Sequence, residues 1–182
     1  IMNNVVYTIP VVFHVIHLGE PVGVGSNISD AQLLQALEDL NDDFRDIQQS
    51  GYDVEIQFCL AQRTPAGNSS TGIIRVNGNG IGNYQNVGIA QGGNEAQVKG
   101  LSIWPNSAYL NIWVVHKIDN SNNILGFATL PGSPASTDGI VMRADATGTS
   151  GNSGVIGHEA GHFFFLFHTF QGGDETNCPP NT

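Results

Sequence analysis

His158-Glu159-Ala160-Gly161-His162 is the segment of this 182-residue chain whose residue types and spacing specify chemistry most directly. On a helix turning about 100° per residue, histidines four positions apart project within roughly 40° of each other, one turn apart, and can grip one ion. Neutral imidazole suits zinc, and the same helix sets Glu159 beside the ion, where its carboxylate can take a proton from a water. That is the chemistry of peptide hydrolysis, with the carboxylate expected to face solvent in a cleft. The plainer alternative is a helix that carries His, Glu and His by chance and points them outward. Residues Phe163, Phe164, Phe165, Leu166 and Phe167 speak against it, since they predict a buried helix in which unpaired imidazoles would be costly. His168 lies six residues beyond His162, a rotation of about 240° along an unbroken helix. A break after Phe164 or Phe165 would let the chain fold back, making His168 a third ligand and leaving a fourth position open.

The elements that must position this segment follow from periodicity. Residues 4–18 read as a strand apolar on both faces, with Val5, Tyr7, Ile9, Val11, Phe13, Val15 and His17 on one, which predicts a central position in a sheet. Ser29 followed by Gln32 reads as a capping box, and Leu33, Leu37, Leu40 and Phe44 then recur at helical spacing. Shorter strands are expected at Val54–Leu60, Gly72–Val76, Tyr109–His116, Gly126–Leu130 and Gly139–Met142. Residues 77–106, rich in Gly and Asn, read mostly as loop with a helical turn near Glu95-Ala96-Gln97-Val98. Asn152 or Ser153 is expected to cap the helix of the histidines. No linker divides the chain, so residues 1–182 are taken as one unit.

Composition removes several classes of function. The formal charge is −10, from 16 acidic and 6 basic residues, and the cations are scattered, which argues against a nucleic-acid surface. No apolar run reaches the roughly 20 residues needed to span a bilayer. An acidic, lysine-poor chain rich in Asn, Gly, Ser and Thr fits a secreted, extracellular or cell-surface protein whose acidic loops can also hold calcium. Cys59, in an alternating apolar segment, reads as a buried small residue, while Cys178, beside Pro179 and Pro180, suits a disulfide, with Cys59 or with another partner. His14, His17 and His116 fall in strands and read as core or surface residues rather than ligands. Gly78-Asn79-Gly80-Ile81-Gly82 has its third glycine out of place for a dinucleotide loop and reads as a turn.

His-Glu-x-x-His with a further His six residues on resembles the metzincin signature. His168-Thr169-Phe170-Gln171-Gly172-Gly173, Leu110-Asn111-Ile112-Trp113-Val114, Phe58-Cys59-Leu60-Ala61, Ile9-Pro10-Val11-Val12-Phe13-His14 and Leu40-Asn41-Asp42-Asp43-Phe44-Arg45 together resemble the pappalysin group of metzincins across nearly the whole chain. The resemblance implies an α/β (α+β) fold: a metzincin-like N-terminal subdomain with a twisted mixed five-stranded sheet, a backing helix and an active-site helix. It implies a secreted zinc endopeptidase acting on a protein or peptide, with His158, His162 and His168 as ligands and Glu159 as general base. Gly126, Phe127 and Ala128 would line the cleft as an edge strand pairing with an extended substrate. Asp174 and Glu175 correspond to acidic residues of a loop that can bind calcium, although a solvated loop fits them too. Two positions depart from the family. Phe165 stands where the family has Gly in the turn out of the helix, so the turn is strained, is made another way, or displaces His168. The family's methionine turn follows the third His, whereas Met2 and Met142 precede it, so the chain is expected to be the N-terminal part of a longer protein, lacking its C-terminal portion. The rival readings are a catalytically impaired surface or adhesion module, with Phe165 as the cause, and a structural zinc helix with four protein ligands.

Overall fold

The computed structural model describes residues 5–46 and 51–169. In chain order it contains β1 (Tyr7–His17), α1 (Asp30–Arg45), β2 (Ile56–Leu60), β3 (Ile73–Asn77), α2 (Tyr84–Val87), α3 (Glu95–Lys99), β4 (Leu110–Val115), β5 (Gly126–Ala128), β6 (Ile140–Arg143) and α4 (Ser153–Phe163), with single 3₁₀ turns at Gly78–Gly80 and Ala144–Ala146. The sheet runs β2-β1-β4-β6-β5, five strands across, and a sixth strand, β3, pairs with the second half of β1 while β2 pairs with the first. All pairings are parallel except β5 with β6. The mixed sheet expected from the resemblance is therefore present, with one strand more because two short strands share one side of β1.

β1 is buried on both faces because its alternate residues feed two cores. Val11, Phe13 and Val15 join Leu33, Ala36 and Leu40 of α1, Ile112 and Val114 of β4, and Ile156 and Ala160 of α4. Ile16 points the other way, with Trp113, Val115 and Val141, and is covered by Tyr84, Ile89 and Val98. The stretch expected to be mostly loop is thus the second layer of the domain: three short turns and helices that bury isolated large side chains rather than a periodic stripe.

The local signals resolve as follows. Ser29 caps α1, its side chain accepting the Gln32 N–H. The reciprocal half of the capping box is not made, because the Gln32 amide donates instead to the carbonyls of Ala144 and Thr147 and ties α1 to the segment leading into α4. Asn152 is the N-cap of α4 but supplies no side-chain cap, its amide donating to the Thr149 hydroxyl. Cys59 is exposed, not buried, since Phe58 takes the inward register of β2. Its suggested partner Cys178 lies outside the described residues.

His14 illustrates how tightly the inner sheet is satisfied. Asn111 uses its Oδ1 to accept the Trp104 N–H at 2.9 Å and its amide to donate to the Trp104 carbonyl at 3.0 Å, which fixes the amide orientation. The same Oδ1, 2.9 Å from His14 Nε2, must therefore accept from it, leaving Nδ1 to accept the Ser102 hydroxyl at 2.9 Å. His14 is neutral, fully buried and stacked on Trp113. Burial holds its pKa down at about 4, against 6.5 for a free histidine, the Asn111 contact opposing only part of the shift. The unfolded chain takes up this proton first, so stability is complete above pH 6.5 and falls as pH drops toward 4. Replacing His14 with Gln should remove about 2–3 kcal/mol of the stability difference between pH 7 and pH 4.5, as read from denaturant melts at both pH values. An unchanged pH dependence would refute the assignment of a buried neutral ring.

Candidate metal and catalytic site

α4 is held at both ends. Gly157 lies flush against Asp43 of α1, leaving no room for a side chain, so the two helices close together just ahead of His158. Phe164, at the C-terminal end, packs on Phe44 of α1 and Phe58 of β2, with ring centroids 5.6 and 6.5 Å away. Between these anchors His158 is exposed, Glu159 buried and His162 half-buried.

The helix ends by a left-handed turn, and Phe165 makes it. Its φ is +70°, its N–H bonds the His162 carbonyl at 2.9 Å, and the Leu166 N–H bonds the Gly161 carbonyl at 2.9 Å. These are the two closing bonds of a Schellman motif, and Leu166 packs back over Gly161, supplying its apolar contact. Of the three outcomes open at this position, the chain takes the strained one, and His168 is not displaced. Phe165, Leu166 and Phe167 lie beyond the helix and are exposed, whereas the sequence suggested burial. A left-handed aromatic residue costs roughly 1–2 kcal/mol, and little packing offsets it here. Phe165→Gly should therefore raise stability by about 1 kcal/mol or less, because extra freedom in the unfolded chain takes back part of the relief. Thermal melts check this, and a marked loss of stability would mean that Phe165 is held by packing.

The turn brings three nitrogens to one point. Nε2 of His162 lies 3.1 Å from Nε2 of His158 and 3.1 Å from Nε2 of His168, and the latter two are 3.2 Å apart. His162 Nδ1 is 2.7 Å from the Leu166 carbonyl, which can only accept, so Nδ1 carries the hydrogen and Nε2 turns a lone pair toward its neighbours. Three imidazole nitrogens this close repel one another unless a cation lies among them. Nitrogens bound to one tetrahedral ion at about 2.0–2.1 Å stand roughly 3.3 Å apart. The donor set therefore fits a metal. The Leu166 carbonyl is placed by the turn at Phe165, so one local structure delivers His168 and fixes the tautomer of His162. Among the described residues this is the single cluster of three or more potential ligands. His14 is committed to Ser102 and Asn111, His17 accepts the Gly19 N–H, and His116 packs edge-on to Tyr84, so none joins it.

Glu159 follows His158 by about 100° around α4, reaches toward β5, and is 7 % exposed rather than open to solvent. Burial pushes its pKa up to about 7, opposed by His162 and by the Ala128 N–H that faces the carboxylate. Gly126 permits the contact, since a Cβ there would stand 2.9 Å from Glu159 Cγ. Among the described residues β5 pairs only with β6, and its other edge faces α4. Leu125 and Thr129 direct backbone groups to Arg143 and Gly139 of the β6 side. By alternation Phe127 does the same, and Gly126 and Ala128 present theirs at the edge facing α4. The Phe127 ring turns away from the helix into the second core. Open grooves flank the site, one of about 390 Å³ along His158, His162, Phe167 and His168, the other of about 370 Å³ along Ile124, Leu125, Gly126, Val155 and Glu159. Asp174 and Glu175, the calcium candidates, lie outside the described residues.

Residues 92–180 match the peptidase family described as Pregnancy-associated plasma protein-A. Mature mirolysin of Tannerella forsythia in complex with a cleaved peptide aligns with a TM-score of 0.75 at 28% identity, over 95% of this chain and 68% of that one. Mirolysin in complex with a small compound aligns at 0.74 and 26% identity, over 93% of this chain and 67% of that one. These matches make the chain similar to the pappalysin metzincins and support a pappalysin-like metalloendopeptidase. A promirolysin variant of Tannerella forsythia aligns at 0.70 and 27% identity, over 90% of this chain and 57% of that one. No curated protein sequence matches the chain significantly. A metalloendopeptidase requires a metal, and the three-histidine cluster is the donor set available for it among the described residues. None of these residues forms a helix long and apolar enough to cross a membrane. What pattern-reading of the sequence missed is the pairing of Glu159 with Gly126 and Ala128, for which the only signal is a glycine opening a short apolar run.

Proposed function

We propose that the chain is the zinc-binding and proton-transferring part of a secreted or surface-displayed endopeptidase that cleaves extended peptide segments of proteins. One observation carries this reading: three imidazole Nε2 atoms converge within 3.2 Å of one another beside α4, while a buried carboxylate on the same helix faces the edge of a short strand. His158, His162 and His168 would hold the zinc ion, whose chemistry, when bound, is to polarise a carbonyl and acidify water. The edge of β5 away from β6 binds the substrate as an added strand through the Gly126 backbone and the Ala128 carbonyl, the Ala128 N–H being held by Glu159. Glu159 takes up the proton of the attacking water and passes it to the departing amine. Its burial between α4 and β5 restricts the carboxylate to this one direction. The mirolysin structure with a cleaved peptide supports a peptide as the ligand class. The acidic, asparagine-rich composition supports location outside the cytosol.

The rival reading of a catalytically impaired module drew its force from Phe165. With the turn closed and His168 beside His162, no feature of the site favours it. The full-length protein should cleave unfolded casein, lose that activity on dialysis against a zinc chelator, and regain it with stoichiometric zinc. Cleavage that survives complete removal of metal, checked by elemental analysis, would sink the proposal.

A further inference from the structure

Lys99 is a cation where the fold has no solvent to offer it. It is fully buried, at the C-terminal end of α3. Its ammonium donates to the Thr137 carbonyl at 2.5 Å and pairs with Glu95, one turn back, at 2.8 Å. It lies 4.9 Å from the ring centre of Trp113 and 5.1 Å from that of Phe127. Trp113 is fixed in turn, donating its indole N–H to the Lys99 carbonyl at 3.3 Å. Burying an ammonium carries a heavy desolvation cost, and an apolar residue of similar size commonly serves stability as well or better. What a cation adds is direction: it holds a carbonyl, a carboxylate and two ring faces at defined places.

Two of those partners converge on β5. Phe127 is the middle residue of this three-residue strand. The Thr137 carbonyl also lies 3.2 Å from the hydroxyl of Thr129, the residue after Ala128, and Thr129 closes the β5–β6 hairpin through both the N–H and the carbonyl of Gly139. Among the described residues β5 has one strand neighbour, β6, and it has too few residues to stiffen itself. Its near face must nevertheless be set to within a few tenths of an ångström, because Gly126 touches Glu159 with no space for a methyl group.

We propose that Lys99 is a positioning residue: seated behind β5 between Trp113 and Phe127, it holds that strand against α4 and so aligns a bound peptide over Glu159. The alignment clause rests on the peptidase reading above, whereas the bracing of β5 does not. In the full-length protein Lys99→Met keeps the fold. Amide exchange should quicken at least tenfold at Gly126–Thr129 and 137–139 and stay unchanged in β1 and β4. KM for a peptide substrate should rise about tenfold with kcat within twofold. Phe127→Leu, which removes the strand's own wall of the cage without orphaning a charge, should move both readouts the same way by a smaller factor, and it stands in if Lys99→Met does not fold. Unchanged exchange at β5, acceleration spread over the whole sheet, or a loss in kcat with KM intact would each overturn the proposal. If the wild-type protein proves to have no peptidase activity, the peptidase reading falls, and exchange at β5 alone decides whether Lys99 braces the strand.

Discussion

Glu159→Gln should lower peptide turnover by about 10²–10⁴-fold while the protein retains one equivalent of metal. The substitution preserves shape, so it leaves the close contact with Gly126 in place and removes only the ability to accept and return a proton. The three histidines are untouched, because their Nε2 atoms converge on one another and none of their hydrogen bonds is to the Glu159 carboxylate. Folding stability should not suffer either, since a buried carboxyl is exchanged for a neutral amide of the same size. Fluorogenic-peptide kinetics with elemental analysis on the same preparation provide the test. Turnover within a few-fold of wild type would mean that proton transfer is done by another group.

His162→Ala should weaken metal binding by at least a hundredfold and leave no measurable cleavage. The apparent binding energy of a four-ligand zinc site is about 10–16 kcal/mol, so loss of one ligand removes roughly 3 kcal/mol. His162 Nε2 is the nitrogen closest to both others, at 3.1 Å each, and a backbone carbonyl fixes its tautomer. Titration calorimetry measures the affinity, and melting measures it independently, because bound metal stabilises the native state in proportion to the logarithm of its concentration. The wild-type melting temperature should rise with added zinc, whereas that of the variant should not. A variant that still holds a full equivalent of tightly bound zinc would contradict a site built from all three histidines.

The sequence disclosed those elements in which one physical demand dominates. β1, α1 and β4 each bury a regular set of apolar positions, so their periodicity carried their positions to within a few residues. His158 and His162 were visible for the same reason, since a fixed helical spacing translates directly into a shared direction. The layer between Asn77 and Asn106 was opaque because it buries Tyr84, Ile89 and Val98 singly, with glycine and asparagine making the turns between. Lys99 counted only as one of the scattered cations, and nothing local distinguishes a lysine that will be caged by two aromatic rings contributed by β4 and β5. The turn at Phe165 left three outcomes open because the choice depends on tertiary contacts: Phe164 anchors the helix end, and the Leu166 side chain rests on Gly161. Glu159 was expected to face solvent, since the approach of β5 to α4 depends on a pairing register that no short segment encodes.

The position of β1 bears on how the molecule is made. It is the first strand of the described chain and the centre of the sheet, yet its principal partner is β4, with Val11 beside Leu110, and β6 joins only through β4. A ribosome therefore releases the longest strand well before the strand that shields it, and the loop closed by that pairing spans more than half of the chain. Assembly of this kind is slow, because chain entropy is surrendered before any contact repays it. The nascent protein spends that interval with an adhesive segment uncovered, which makes protection during synthesis, rather than final stability, the main constraint on its yield.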